Sequence, residues 1–482
     1  MINLRVILNF IGFLLILDGI AMMLGIPFSI YYGDNDILVL FATGSIISAT
    51  GFLLYTFTKR NRGEITKREG YIVVSIGWLV MSLFGAIPFV VHGAIPSFTD
   101  AFFETMSGFT TTGSSILNDI EAVPHGLLFW RSLTQWLGGM GFIVLSLAIL
   151  PILGIGGMQL FVAEVPGPTK DKIHPRVRET AKRLWGIYVL LTFLEIVLLL
   201  IGGMNLFDAI NHSFTTMATG GFSTKQASIA YYTSPYIQYI ITAFMFMAGM
   251  NFSLHYFLLH RNFKHVRNNE EFKFYAFLIL TFTVIISIGH FATHNIGLEQ
   301  SFRESLFQVV SMITTTGYIT ADYELWGVFY HTLFFLMLFI GGSAGSTGGG
   351  VKVVRHLLLM KNMALELRRL VHPRAIIPVR FNNVSVNKDI IFNIMAFLLF
   401  YLAIFVTGTI FMSLIGLDFL TAMGSVATCL GNVGPGIEAV GPVDNFAHIP
   451  DIGKWVLSFL MLLGRLELFT VLIIFSPSFW KK

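Results

Sequence analysis

"SGFTTTGSS", Ser107–Ser115, decides how this chain is read, because "SMITTTGYI" brings the same Thr-Thr-Thr-Gly back at Ser311–Ile319. Each copy follows a short apolar run. Threonine loses side-chain freedom inside a helix and glycine costs a helix about 1 kcal/mol against alanine, so the helix before each copy should stop there. Four residues are also too few for a useful strand. What these turns are for depends on their surroundings.

Those surroundings are apolar. Of 482 residues, 55% are hydrophobic and only 12% are charged, against roughly 25% charged in a soluble domain. Stretches near the ~20 residues that span a bilayer recur at Val6–Ser29, Ile37–Thr58, Tyr71–Val91, Ile187–Met204, Phe274–Ile288 and Ile390–Leu414. The composition predicts an all-α polytopic membrane protein. The first apolar segment lacks a small-residue cleavage site and is followed at once by a second, so it reads as a retained helix. The single cysteine, Cys429, excludes an internal disulfide and any cysteine-based metal site.

Charge gives the orientation. Most of the 31 lysines and arginines fall in Lys59–Arg68, Lys170–Arg183, Arg261–Lys273 and Lys352–Lys388, with Arg5, Lys481 and Lys482 at the ends. The positive-inside rule puts these segments, and both termini, in the cytoplasm. The opposite loops carry Asp34, Asp36, Asp119, Glu121, Glu299, Asp322, Glu324, Glu438, Asp444 and Asp451. The net charge of +4 is therefore topology, and no nucleic-acid partner is expected.

Between the basic loops one pattern repeats: a long apolar helix, a short apolar segment, a small-residue turn and another long helix. Aligned on the turn glycine, the four copies are "DAFFETMSGFTTTGS" from Asp100, "DAINHSFTTMATGGF" from Asp208, "ESLFQVVSMITTTGY" from Glu304 and "TAMGSVATCLGNVGP" from Thr421. The aligned glycines are Gly113, Gly221, Gly317 and Gly434. The expected organisation is two N-terminal transmembrane helices (1–62), then non-identical helix–re-entrant pore helix–helix repeats at 63–160, 161–262, 263–372 and 373–482. The short segments reach only about 15 Å as helix, half a bilayer, so each must dip in and return. Irregular backbone at that depth survives only inside protein or beside water, and four such units around one axis make a pore.

That purpose explains the turn residues. A short helix ending in the membrane points its negative dipole end at the centre. Carbonyls of the following turn, expected to be extended, can replace a cation's hydration shell. Threonine suits extended backbone and its hydroxyl is a ligand or a brace, while glycine supplies angles closed to other residues. Rings of oxygen suit a hard monovalent cation, and the four turns themselves hold no imidazole or thiolate for a transition metal.

At these residues the sequence resembles the Trk/Ktr/HKT superfamily of potassium translocation subunits, over essentially the whole chain. The turns Thr110–Ser114, Ala218–Phe222, Thr314–Tyr318 and Gly431–Pro435 look like that family's four filter strands. The resemblance implies K+ ligands at Thr110, Thr111, Thr112 and Gly113, at Ala218, Thr219, Gly220 and Gly221, at Thr314, Thr315, Thr316 and Gly317, and at Gly431, Asn432, Val433 and Gly434. It also implies K+ as the transported ion with no organic cofactor, a homodimer in the cell inner membrane, and a cytosolic nucleotide-binding regulator of the TrkA type. The two extra N-terminal helices depart from the shorter Ktr subunits. In some relatives a serine in place of the first filter glycine accompanies sodium transport, so Gly113 favours potassium. The fourth turn lacks threonine, so the ring is not truly fourfold.

The last helix of the third repeat is interrupted by "GGSAGSTGGG", Gly341, Gly342, Ser343, Ala344, Gly345, Ser346, Thr347, Gly348, Gly349 and Gly350. Six glycines cannot stay helical without a reason. A phosphate loop would need Gly-Lys-Ser/Thr after the run, and Gly350 is followed by Val351 and Lys352. The stretch reads either as a packing kink or, as in the family, as an intramembrane gate below the filter. Arg465, in "LMLLGRLELFTVLIIF", is an intramembrane charge and so a functional candidate, as a barrier to cations that braces the glycine loop. The alternative is an arginine satisfying carbonyls at a helix contact. Glu467 lies on another helix face, and Asp18 and Glu195 have no evident partner. No His-Glu-x-x-His or Gly-x-Ser-x-Gly stands in a membrane segment, so no enzyme is expected. The leading reading is a gated potassium-selective pore. The alternative is a sodium- or proton-coupled symporter of the same fold.

Overall fold

The computed structural model describes residues 2–58, 66–141, 177–294, 296–375 and 377–481. The expected boundaries at 62 and 160 and most of the first two basic clusters lie outside the described residues. Among those described, the chain is helical apart from one hairpin. Its strands Arg380–Phe381 and Val384–Ser385 pair through Asn382 and Asn383, both at positive φ, as a tight hairpin turn requires.

Six described helices are long and apolar enough to cross a membrane: Leu4–Tyr32, Ile37–Thr58, Arg68–His92, Lys182–Ile201, Glu270–Thr293 and Lys388–Leu414. Two precede the repeating pattern and the other four open its successive units. They start where a side chain can bond the first free N–H groups. Thr66 and Glu69 form a reciprocal capping box, and Asn269 accepts from Phe272 N at 2.8 Å.

The first two spans pack through glycines, with backbones in near contact. A Cβ at Gly12 would lie 2.7 Å from Gly51 O, and one at Gly44 would lie 2.8 Å from Gly19 O. Close packing of small residues is how helices associate where lipid removes the hydrophobic drive. Gly44→Leu should therefore overpack this seam and cost about 1–3 kcal/mol. A lowered unfolding midpoint in detergent checks it, and an unchanged midpoint would mean the seam yields freely.

Each unit then contains a short helix: Phe98–Phe109, Leu206–Met217, Leu298–Ile313 and Phe419–Gly431. Ser97, Asn205 and Asp418 cap three of them, accepting from the backbone N–H of Asp100, Asp208 and Thr421. At 12 to 16 residues these are half-spans.

One expectation is corrected here. The sequence suggests a long helix after every turn, broken only in the third unit. The structure breaks three of the four, and in the first the helix changes its winding at the last residues described before 177. His125–Trp136 runs into a wide π-type turn at Leu137–Gly141. Pro235–Ala248 bends by 105° into Phe252–Leu259, and Asp451–Arg465 bends by 117° into Phe469–Phe475. In the third unit the gap between Val328–Met337 and Val353–Val371 holds the whole glycine run. The reason is packing. A Cβ at Gly138 would strike Phe109 O, one at Gly249 would lie 2.6 Å from the Thr314 side chain, and one at Gly464 would strike Leu430 O. Each break is pressed against the end of a half-helix.

Candidate functional site

The four turns share one backbone conformation. Thr111, Thr219, Thr315 and Asn432, second in each turn, have φ of 52°, 53°, 60° and 52°, and the fourth-position Gly113, Gly221, Gly317 and Gly434 have φ of 85°, 76°, 79° and 107°. The third-position N–H reaches back five residues in every case. Thr112 N donates to Ser107 O, Gly220 N to Thr215 O, Thr316 N to Ser311 O and Val433 N to Thr428 O, at 2.8–3.1 Å. These are Schellman closures, normally made with glycine at the left-handed position. Here threonine or asparagine occupies it. A β-branched residue held there costs about 1–3 kcal/mol, strain that the surrounding structure must enforce.

This corrects the expectation of a uniformly extended turn. Carbonyls orphaned at a helix end inside a membrane must find donors, so the chain first closes on itself and only then runs on. The threonine hydroxyls divide accordingly. Thr110 and Thr314 donate to Met106 O and Val310 O, and they share hydrogen bonds of 2.8 Å with Thr112 and Thr316. They brace the turn, while the Thr111 hydroxyl is buried with no hydrogen-bond partner among the described residues.

The turns form a closed ring. A Cβ at Gly113 would collide with Gly220 O, one at Gly221 with Thr316 O, and one at Gly317 with Val433 O. One at Gly434 would lie 2.9 Å from Thr112 O, which returns to the first turn. Each fourth-position glycine thus lies against the third-position carbonyl of the next unit, in cyclic order. Glycine is required for both its φ and this approach.

Hydrogen bonds tie every neighbouring pair. Gln135, in the helix after the first turn, donates from Nε2 to Gly220 O at 2.6 Å and accepts from Phe222 N. Tyr318 donates to His212 O at 3.0 Å, and Tyr323 donates to Gly436 O at 2.7 Å. Ser114 donates to Gly434 O, and Asn432 Nδ2 to Thr112 Oγ1 at 2.9 Å. On the acidic-loop side an open cavity is lined by all four glycines together with Arg131, Lys225 and Asp444.

On the other side lies the glycine run. All ten residues Gly341–Gly350 are non-helical, with Gly341, Gly345 and Gly350 at φ of 70–78°. A Cβ at Gly348 would lie 2.9 Å from Thr314 O and one at Gly349 2.7 Å from Gly431 O, so the run sits directly against two of the turns. Ser343 N donates to Gly249 O, Thr347 Oγ1 to Met217 O, Ala344 N to Glu271 Oε1, and Gly349 N to Thr315 Oγ1 at 2.7 Å. The buried Lys352 ammonium donates to Gly348 O.

Arg465 stands at the break in the fourth unit and joins three units. Its Nη1 donates to Thr347 O at 2.7 Å, and its Nη2 donates to Gly138 O and Gly139 O, each at 2.6 Å. The guanidinium thus both bonds carbonyls at a helix contact and braces the glycine run. Glu467 pairs instead with Arg355, in the helix that continues that run. Asp18 keeps both carboxyl oxygens buried without a hydrogen-bond partner among the described residues.

Sequence reasoning passed over Glu104, Arg131, Gln135, Lys352, Arg355 and the breaks in the second and fourth units. The signal was available. "FFETM" and "LFWRSL" each hold a charge among apolar neighbours, which is the criterion that singled out Arg465.

The profile of the TrkH family, described as a cation transport protein, matches residues 38–482. The Trk system potassium uptake protein TrkH of Salmonella typhimurium is 43% identical over 483 residues, covering 99% of both chains. Its Escherichia coli K12 counterpart is 42% identical over the same span. The crystal structure of the potassium transporter TrkH from Vibrio parahaemolyticus superposes with a TM-score of 0.89 at 36% identity, covering 99% of this chain and 100% of that one. With the family profile, the full-length relatives and the fold in agreement, the chain belongs to the TrkH family of cation transport proteins.

Proposed function

We propose that this chain takes up potassium across the cytoplasmic membrane through a gated, potassium-selective pore. The observation that carries the reading is the cyclic order of the four turns, which brings Thr112 O, Gly220 O, Thr316 O and Val433 O around one axis. Carbonyls so arranged substitute for the water around a potassium ion. The relatives named as potassium uptake proteins support potassium as the cargo. The sixteen residues from Thr110–Gly113, Ala218–Gly221, Thr314–Gly317 and Gly431–Gly434 form the filter, and Gly341–Gly350 with Arg465 form the gate. An inside-negative potential drives entry, worth about 2.3 kcal/mol per charge per 100 mV.

The basic segments and both termini face the cytoplasm. The chain works as a homodimer under a cytosolic TrkA-type nucleotide-binding subunit, which acts on the basic helix Val353–Val371 that continues the gate. The test is ion flux in liposomes containing this chain, with potassium, sodium and proton gradients varied separately. Flux that follows the potassium gradient alone supports the pore. Flux that requires a sodium or proton gradient supports the coupled symporter instead.

Gly113→Ser tests the filter. At φ of 85° the new side chain is strained and also meets Gly220 O. The potassium-over-sodium permeability ratio should fall on the order of tenfold, with folding retained. An unchanged ratio in a folded variant would remove Gly113 from the filter.

A further inference from the structure

Behind the first two turns lies an ion pair that the proposed pore has not yet used. Glu104, on the first half-helix, and Arg131, in His125–Trp136, have side chains 1% and 2% exposed, with Arg131 Nε 2.7 Å from Glu104 Oε1. Both reach the strands that leave the turns. Arg131 Nη1 donates to Ser223 O at 3.0 Å, beyond the second turn, and Nη2 donates to Ser115 Oγ at 3.2 Å, beyond the first. Glu104 accepts from Ser115 Oγ and Ile116 N, each at 2.9 Å. The guanidinium also lies 3.6 Å from the Phe222 ring centroid.

The position has a register. Nine residues before each turn glycine stand Glu104, His212, Gln308 and Ser425. His212 bonds Ser223 Oγ at 2.9 Å, and Gln308 Nε2 donates to Ala321 O at 3.0 Å, so these two hold only the strand that leaves their own turn. The first unit alone places a charge there and adds a second charge that crosses to the next unit. Gln135, one helical turn after Arg131, holds Gly220 O from the same face.

Stability does not explain the arrangement. Taking two charges out of water costs about what their attraction returns, and apolar residues of equal volume often serve as well. What an arginine adds is a rigid planar fork that fixes several acceptors at set distances. We infer that Arg131 and Glu104 are positioning residues for ion discrimination: they clamp the first and second turns at one separation, and so fix the distance between Gly113 and Gly221, neighbours in the ring.

This inference rests on the pore reading, and the experiment separates the two. The full chain in liposomes is assayed for potassium and sodium permeability, with Gly113→Ser as the reference for a damaged filter. Arg131→Lys keeps the charge facing Glu104 but cannot reach Ser115 and Ser223 together. The potassium-over-sodium ratio should fall about tenfold. The second variant, Glu104→Gln with Arg131→Met, leaves no unpaired charge and should fold. It should lose the ratio to the same degree while the unfolding midpoint stays near the parent's. A merely structural pair would lower the yield of folded protein without moving a permeability ratio. A parental ratio in either variant, purified monodisperse, overturns the clamp. A parent chain with no potassium preference would instead overturn the pore reading itself.

Discussion

Deleting Ser343–Gly348 should yield a chain that conducts without the proposed regulator, with potassium flux into liposomes raised on the order of a hundredfold over the parent chain. The deletion removes the donors that hold the run under the turns, among them Ser343 N to Gly249 O and Thr347 Oγ1 to Met217 O. It also removes Thr347 O and Gly348 O, the acceptors of Arg465 and Lys352. A hydrogen bond contributes about 1 kcal/mol net, and more when one partner is charged, while tenfold in an equilibrium needs only about 1.4 kcal/mol. Losing several at once shifts the closed state strongly. Glycine suits such a hinge because several backbone states lie close in energy. Parent-like closure in a folded, monodisperse deletion variant would place the gate elsewhere.

Arg465→Ala should raise unregulated flux by about tenfold, since three carbonyl bonds joining the third, fourth and first units vanish with the side chain. Removing a positive charge near the path should also lower the barrier to cations, by an amount that water screening keeps modest. Arg465→Lys separates the two effects. Lysine keeps the charge but concentrates its donors on one nitrogen, so it cannot bond Thr347 O and Gly138 O as a fork does. If bracing dominates, the lysine variant leaks nearly as much as alanine. If charge dominates, it stays nearly as closed as the parent. Alanine conducting like the parent would make the arginine a packing residue only.

Some of this was legible from residues in order. Apolar runs longer than a bilayer gave the helices, and lysine and arginine between them gave the expected orientation, because lipid and membrane potential act on each segment separately. The half-spans were legible for the same reason. The run before Gly113 is too short to cross, and six glycines between Gly341 and Gly350 cannot hold a helix. The positions of the four turns followed from one repeated spacing.

Their conformation did not follow. Threonine favours extended backbone when only its own sterics count, and tertiary structure holds Thr111, Thr219 and Thr315 in the left-handed region instead. The breaks at Gly249 and Gly464 were hidden because one glycine in a helix is a weak signal, decisive only once a half-helix end presses against it. Nor does sequence tell Arg131 that its acceptors are Glu104 on one side and Ser223 on the other. Segment-level free energies fix which stretches enter the membrane. Which carbonyl faces which glycine depends on contacts between units far apart in the chain, and only the closed ring of four supplies them.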